Sequence, residues 1–193
     1  MTVWHWVRHG PTHEKNFVGW RDIPADLSDA DQITRLRRYL PDTAVLLASD
    51  LSRASDTASV LRKPDHYRLP DDPHLREIHF GVWDGMHFED VSARDPVLSR
   101  RYWEEPGDTQ APFGESWNEA SARVQGTVTR LNSKYPDADI VVAAHFGVIL
   151  TQLQRALGTN AYDTLAHKID NLSVTRLICK DGSARAEIIN HLP

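Results

Sequence analysis

Apolar and polar positions along the chain change period several times, and the changes mark out alternating strands and helices. Residues 2–7 carry β-branched and aromatic side chains and stop at Gly10-Pro11, which predicts a buried strand that delivers Arg8 and His9 to its end. A polar loop follows. Ser28 with Asp31 three residues on predicts a helix start, with Ile33, Leu36 and Leu40 on one face and Pro41 as its end. Residues 44–48 (Ala-Val-Leu-Leu-Ala) predict a second buried strand, after which Leu51, Ala54, Ala58 and Leu61 recur at helical spacing.

The alternation returns in the second half. Trp117, Ala120, Val124, Val128, Leu131 and Tyr135 fall three or four apart behind Ser116-x-x-Glu119, predicting a capped helix over 117–135. Residues 139–144 predict a strand, and Phe146, Ile149, Leu150, Leu153 and Leu157 a helix that ends at Gly158. Residues 172–179 and 184–189 flank Asp181-Gly182, a type I′ hairpin signal. The pattern implies a three-layer α/β/α sandwich in one domain over residues 1–193, its central sheet mostly parallel with an antiparallel edge strand. Residues 78–114 follow no period and contain Pro96, Pro106 and Pro112 among several aromatics. They read as a lid-like excursion over the C-terminal edge of the sheet.

Composition adds limits. With 193 residues, 40% hydrophobic and 25% charged, the chain has enough apolar surface for one core and does not resemble a disordered segment. No apolar run reaches membrane-spanning length. A net charge of -5 with scattered Lys and Arg argues against nucleic acid as partner, so any anion site must be local. The single Cys179 precludes an internal disulfide, and the N-terminus lacks signal-peptide features. Both point to the cytoplasm.

Four places carry candidate chemistry. Arg8-His9-Gly10 at a strand end joins a nucleophilic imidazole to a guanidinium that can hold phosphate oxygens. Arg53 lies in the first turn of a helix, where unpaired N–H groups favour an anion. Glu77 sits in an aromatic, glycine-bearing loop with Phe80 and Trp83, where desolvation would raise its pKa and suit it to general acid work. His145 follows an apolar strand and can donate to a phosphoryl oxygen. Each has a bland counterpart: a surface loop, a solvated helix Arg, a surface Glu beside Arg76, a satisfied core His. The ten histidines do not form a persuasive metal set, because Gly10-Pro11 keeps His9 and His13 off one helical face, and His74 with His79 has no ligand spacing.

Taken together, these segments resemble the histidine phosphatase, or phosphoglycerate mutase-like, superfamily over nearly the whole chain. The family's R-H-G matches Arg8 to Gly10, its S-x-L-x-R-A-x-x-T-A matches Ser49 to Ala58, and its L-x-E-x-x-F-G-x-W-x-G matches Leu75 to Gly85. P-x-G-E-S matches Pro112 to Ser116, the late histidine matches His145, and Asn171-Leu-Ser-Val174 looks like the closing strand. The resemblance implies a phosphate pocket of Arg8, Arg53 and His145 around the nucleophile His9, with Glu77 as proton donor and neither metal nor cofactor. It also implies Asn16 as a further phosphate contact, displaced by one position from the family's usual asparagine. Pro11 stands where the family commonly has an acidic residue, and Phe146 replaces the first of two glycines. Ser116 is accounted for as a helix cap, and the role of Glu115 stays open.

The implied activity is hydrolysis of a small phosphate monoester through a phosphohistidine. Alternatives are a phosphoglycerate mutase, a protein phosphohistidine phosphatase and a non-catalytic module binding phosphorylated ligands. Residues 86–114 are short for the enclosing segment of a mutase, and the aromatics from Phe80 to Trp103 suggest a lid over a small molecule, as in enzymes similar to α-ribazole phosphatases.

Overall fold

The structure, a computed structural model, describes residues 1–193. In chain order it contains β1 (Thr2–Arg8), α1 (Ala30–Tyr39), β2 (Ala44–Ala48), α2 (Ser52–Leu61), β3 (His66–Arg68), α3 (Phe88–Arg94) and α4 (Pro96–Glu104). The second half comprises α5 (Trp117–Lys134), β4 (Asp139–Ala144), α6 (Phe146–Leu157), α7 (Ala161–Leu165), β5 (Val174–Lys180) and β6 (Ser183–His191). Six strands form one sheet in the order β3-β2-β4-β1-β5-β6. The pairs β3–β2, β2–β4 and β4–β1 are parallel, while β1–β5 and β5–β6 are antiparallel. The sheet is thus mostly parallel with an antiparallel edge, as expected.

Strand alternation sends side chains to two cores. Trp4 and Trp6 of β1, Val45 and Leu47 of β2, and Ile140, Val142 and Ala144 of β4 meet the apolar faces of α5 and α6. The intervening residues Val7, Ala44, Leu46, Ala48, Val141 and Ala143 face α1 and α2. Strands covered on both sides must be apolar at every position, which is why β2 and β4 read as unbroken hydrophobic runs. Fully burying a Leu, Ile or Val stabilises by about 1.5–3 kcal/mol, so these two cores carry most of the stability.

Helix ends follow local chemistry. The α5 capping box is present in both directions: Ser116 Oγ accepts from Glu119 N, and Glu119 Oε2 accepts from Ser116 N. Gly158 adopts φ 64° to close α6, and Asp181 and Gly182 both have positive φ in the β5–β6 turn. The start of α1 differs from expectation. Asp29, not Ser28, is the cap, its carboxylate accepting from Gln32 N at 2.9 Å, and Asp31 falls inside the first turn. The short elements β3 and α7 escaped the sequence reading because 3 and 5 residues carry too little periodicity.

Residues 78–114 are more ordered than their sequence suggests. α3 and α4 pack Trp83, Val91, Tyr102 and Ala111 into a small third cluster, which Phe17 and Phe80 also touch. Gly81 is needed for the turn into this segment: it has φ 53°, and an added Cβ would lie 2.0 Å from Pro112 O. No helix is long and apolar enough to cross a membrane.

Leu131 is fully buried between α5 and the sheet, so Leu131→Ala is expected to cost about 2–5 kcal/mol of unfolding free energy. Urea unfolding followed by tryptophan fluorescence measures it, and a loss below about 1 kcal/mol would mean that this face does not carry the core.

Candidate active site

Strand register brings the two candidate histidines together. β1 and β4 pair with Arg8 opposite Ala144, so the next residue on each strand, His9 and His145, emerges at the same edge. Their rings lie 5.1 Å apart. This edge is the C-terminal end of the parallel strands, where open α/β sheets build their sites. His9 is pinned by its own backbone, with His9 N donating to Ala144 O and His9 O accepting from Asn171 Nδ2 at 2.8 Å. Gly10 N donates to Thr57 Oγ1, tying the strand end to α2.

The hydrogen bonds assign both imidazole tautomers. His9 Nδ1 lies 2.7 Å from Gly10 O and must donate to it, leaving Nε2 with its lone pair free. His145 Nδ1 accepts from Arg53 Nε at 3.2 Å, which places the proton on Nε2. That Nε2–H is buried and has no partner. Burial pushes the His9 pKa down to about 3, with Arg53 and Arg8 adding smaller downward effects. Desolvation is the larger cause, ahead of the neighbouring charges. His145 is held well below its ordinary value, again by burial first.

The two arginines occupy different settings. Arg53 is 1% exposed and donates to Gly19 O at 2.7 Å, to Arg21 O at 2.9 Å and to His145 Nδ1. Arg8 Nη1 donates to Ile169 O at 2.7 Å, its guanidinium lies over the Phe146 ring, and its Nε is buried without a partner. Two buried N–H donors, Arg8 Nε and His145 Nε2, thus have no acceptor within the protein.

Glu77 completes the group. Its Oε1 accepts from Ile78 N at 2.9 Å and from Gly147 N at 3.1 Å. Burial raises its pKa, outweighing those N–H donors and the two arginines, which pull it down. A Cβ at Gly147 would stand 2.6 Å from Glu77 Oε1, so only glycine lets the first turn of α6 approach the carboxyl. Arg76 does not pair with it and is taken instead by Asp50. Phe80 lines the cavity at Glu77, whereas Trp83 packs into the third cluster.

Several supporting residues were missed from sequence. Arg123 of α5 donates to the carbonyls of His74, Arg76 and Glu77 while pairing with both oxygens of Glu115 at 2.7 Å. Glu115 thus gains a role, holding the Glu77 loop through Arg123 and through His79 N. Thr57, Asn171 and Gly147 lay within or beside matched motifs, which was the available signal. Arg123 had none. Asn16 is not brought to the cluster: it is exposed, donates to Gly85 O at 3.0 Å, and bonds to none of the five other candidates. His13 is paired with Asp26 and His74 with Asp72, and no group of three or more His, Cys, Asp or Glu could hold a metal ion.

A lone-pair nitrogen, unpartnered donors around it and a carboxyl biased toward its neutral form are the components of phosphoryl transfer. Residues 5–191 match the histidine phosphatase superfamily (branch 1). The chain belongs to that superfamily. It is 30% identical over 177 residues to the bifunctional protein Rv2228c of Mycobacterium tuberculosis, covering 91% of this chain but 46% of that protein. The chain thus spans about half the length of that relative. It is 29% identical to the probable phosphoglycerate mutase GpmB of Enterobacter sp., covering 89% of this chain and 82% of the relative. Among solved structures it resembles mycobacterial glucosyl-3-phosphoglycerate phosphatase Rv2419c in complex with inorganic phosphate. The two share a TM-score of 0.83 and 25% identity, over 98% of this chain and 97% of the other.

The depressed imidazoles make stability depend on pH. Between the ordinary value of 6.5 and the folded His9 value near 3, the unfolded chain binds protons that the folded chain does not. Stability therefore falls as pH drops through this window. Glu77, with its raised folded pKa, works in the opposite sense. The urea midpoint is expected to decline from pH 7 to pH 5, and His9→Asn to weaken that decline. An unchanged slope in the variant would remove His9 from the linkage.

Proposed function

We propose that the chain is a phosphatase that hydrolyses a small-molecule phosphate monoester through a phosphohistidine on His9, with Glu77 as general acid and then base. The observation that carries this reading is the free lone pair of His9 Nε2, fixed by the bond from Nδ1 to Gly10 O, beside unpartnered donors on Arg8 and His145. In the first step Nε2 attacks phosphorus in line, the ester P–O bond breaks, and Glu77 gives its proton to the departing oxygen. In the second, Glu77 takes a proton from water, the water oxygen attacks phosphorus, and the P–N bond breaks to return the lone pair to His9. Arg8 Nε and His145 Nε2 hold the phosphoryl oxygens, and Arg53 adds positive charge while fixing the His145 tautomer. No metal or cofactor enters the scheme. Residues 78–114 act as a lid within a single domain, and Asn16 joins the loop of residues 13–21 to that lid through Gly85.

This assignment predicts an acid-labile, alkali-stable phosphoenzyme that His9→Ala does not form. Glu77→Gln should lower kcat about 10²- to 10⁴-fold. The alkaline limb of the wild-type pH profile, set by Glu77 losing its proton above the usual carboxylate range, should be absent in that variant. Equal turnover by wild type and His9→Ala would overturn the mechanism.

A second reading, return of the phosphoryl group to another alcohol, is favoured by the likeness to the probable mutase GpmB. Incubation with 3-phosphoglycerate separates the two. The phosphatase reading expects no 2-phosphoglycerate to form, any turnover releasing inorganic phosphate, whereas 2-phosphoglycerate without phosphate release would replace it by the mutase.

A further inference from the structure

Beyond the phosphate cluster, a cavity of about 40 Å³ begins at Glu77 and Gly147 and runs under the segment of residues 78–114. Its walls are Ile78, Phe80, Tyr102, Trp103, Phe146 and Leu165, and none of its lining residues is Lys, Arg or His. Position gives it meaning. The proton that Glu77 transfers goes to the oxygen linking phosphorus to the alcohol, so the first carbons of that alcohol must start beside the Glu77 carboxyl. Glu77 lines this cavity, which therefore borders that position.

Charge then restricts what can enter. A carboxylate on the alcohol would leave water for an apolar wall and meet the Glu77 carboxyl with no cation to pair with, which is strongly unfavourable. The nearby guanidinium groups are committed: Arg53 to Gly19 O, Arg21 O and His145 Nδ1, Arg21 to Asp84 and Glu14, and Arg123 to Glu115, while Arg8, which bonds Ile169 O and lies over Phe146, is taken in the phosphatase reading by the phosphoryl group. The Tyr102 hydroxyl is held neutral, its pKa pushed up by burial. Trp103 carries an indole N–H shielded from water and without an acceptor, so the wall can serve an uncharged oxygen but offers no formal positive charge. Since a water needs roughly 10–15 Å³ of such space, the cavity takes about three water-sized groups, the size of a short carbon chain.

We propose that the alcohol released by this enzyme is uncharged and largely apolar near the ester, its first carbons seated in this cavity, and that alcohols bearing a carboxylate there are excluded. The proposal rests on the phosphatase reading above.

The test is a series of methyl, ethyl, propyl and butyl phosphate with the intact protein, alongside 3-phosphooxypropanoate, which matches the propyl ester but ends in a carboxylate. kcat/KM is expected to rise about fourfold per methylene until the cavity is full, with the carboxylate ester at least about tenfold below propyl phosphate. Leu165→Lys, which sets an ammonium in the wall, should flatten the series and raise the carboxylate ester relative to the propyl ester. A flat wild-type series, or preference for the carboxylate ester, overturns the proposal, and the wild-type series decides this even if the variant fails to fold. Phosphohistidine formed from every ester at one rate would sink the cavity proposal alone. Absence of phosphohistidine with all of them would sink the phosphatase reading and the proposal together.

Discussion

A guanidinium taken almost wholly out of water must find partners for its N–H groups or cost several kcal/mol. Arg53, at 1% exposure, finds them in two backbone carbonyls and one imidazole nitrogen, and much of the site follows from how it does so. The bonds to Gly19 and Arg21 fix the loop that leaves β1. The bond to His145 Nδ1 forces the His145 proton onto Nε2, beside His9. One buried cation thereby sets loop position, tautomer and local positive potential.

The same low-polarity surroundings act on the remaining groups in opposite directions. Burial disfavours the charged form of His9 and His145, and likewise that of Glu77. For an imidazole this means a free base, and for a carboxyl it means a retained proton. One environment thus favours a lone pair on the imidazoles and a proton on the carboxyl, without separate tuning for each. The carboxyl is kept in place by backbone as much as by side chains. Gly147 at the start of α6 donates to it, and Arg123 clasps three carbonyls around residue 77 while Glu115 neutralises its charge. The segment of residues 78–114 then closes over an apolar space next to that carboxyl.

The long elements were legible because their burial is one-sided or two-sided over enough residues to repeat. The α5 stripe from Trp117 to Leu131 and the runs in β2 and β4 are such cases. Where the signal is short, it fails. β3 and α7 are too brief to repeat a period, and α3 and α4 bury single residues against one another, not a stripe against the sheet. At the start of α1, Ser28 and Asp29 are both good caps, and composition alone does not rank adjacent candidates.

By itself, the sequence determined the residue types, their order, and their placement at strand ends and helix starts: His9 after β1, Arg53 in α2, Glu77 in a loop, His145 after β4. These are local properties, readable from a few neighbours. Which nitrogen of each histidine carries the proton, why Arg123 matters, and why Asn16 turns to Gly85 were decided only by tertiary structure. The partners concerned lie far away in the chain, 92 residues between Arg53 and His145 and 69 between Asn16 and Gly85. Burial, which dominates every pKa in the cluster, likewise exists only once the layers have closed around it.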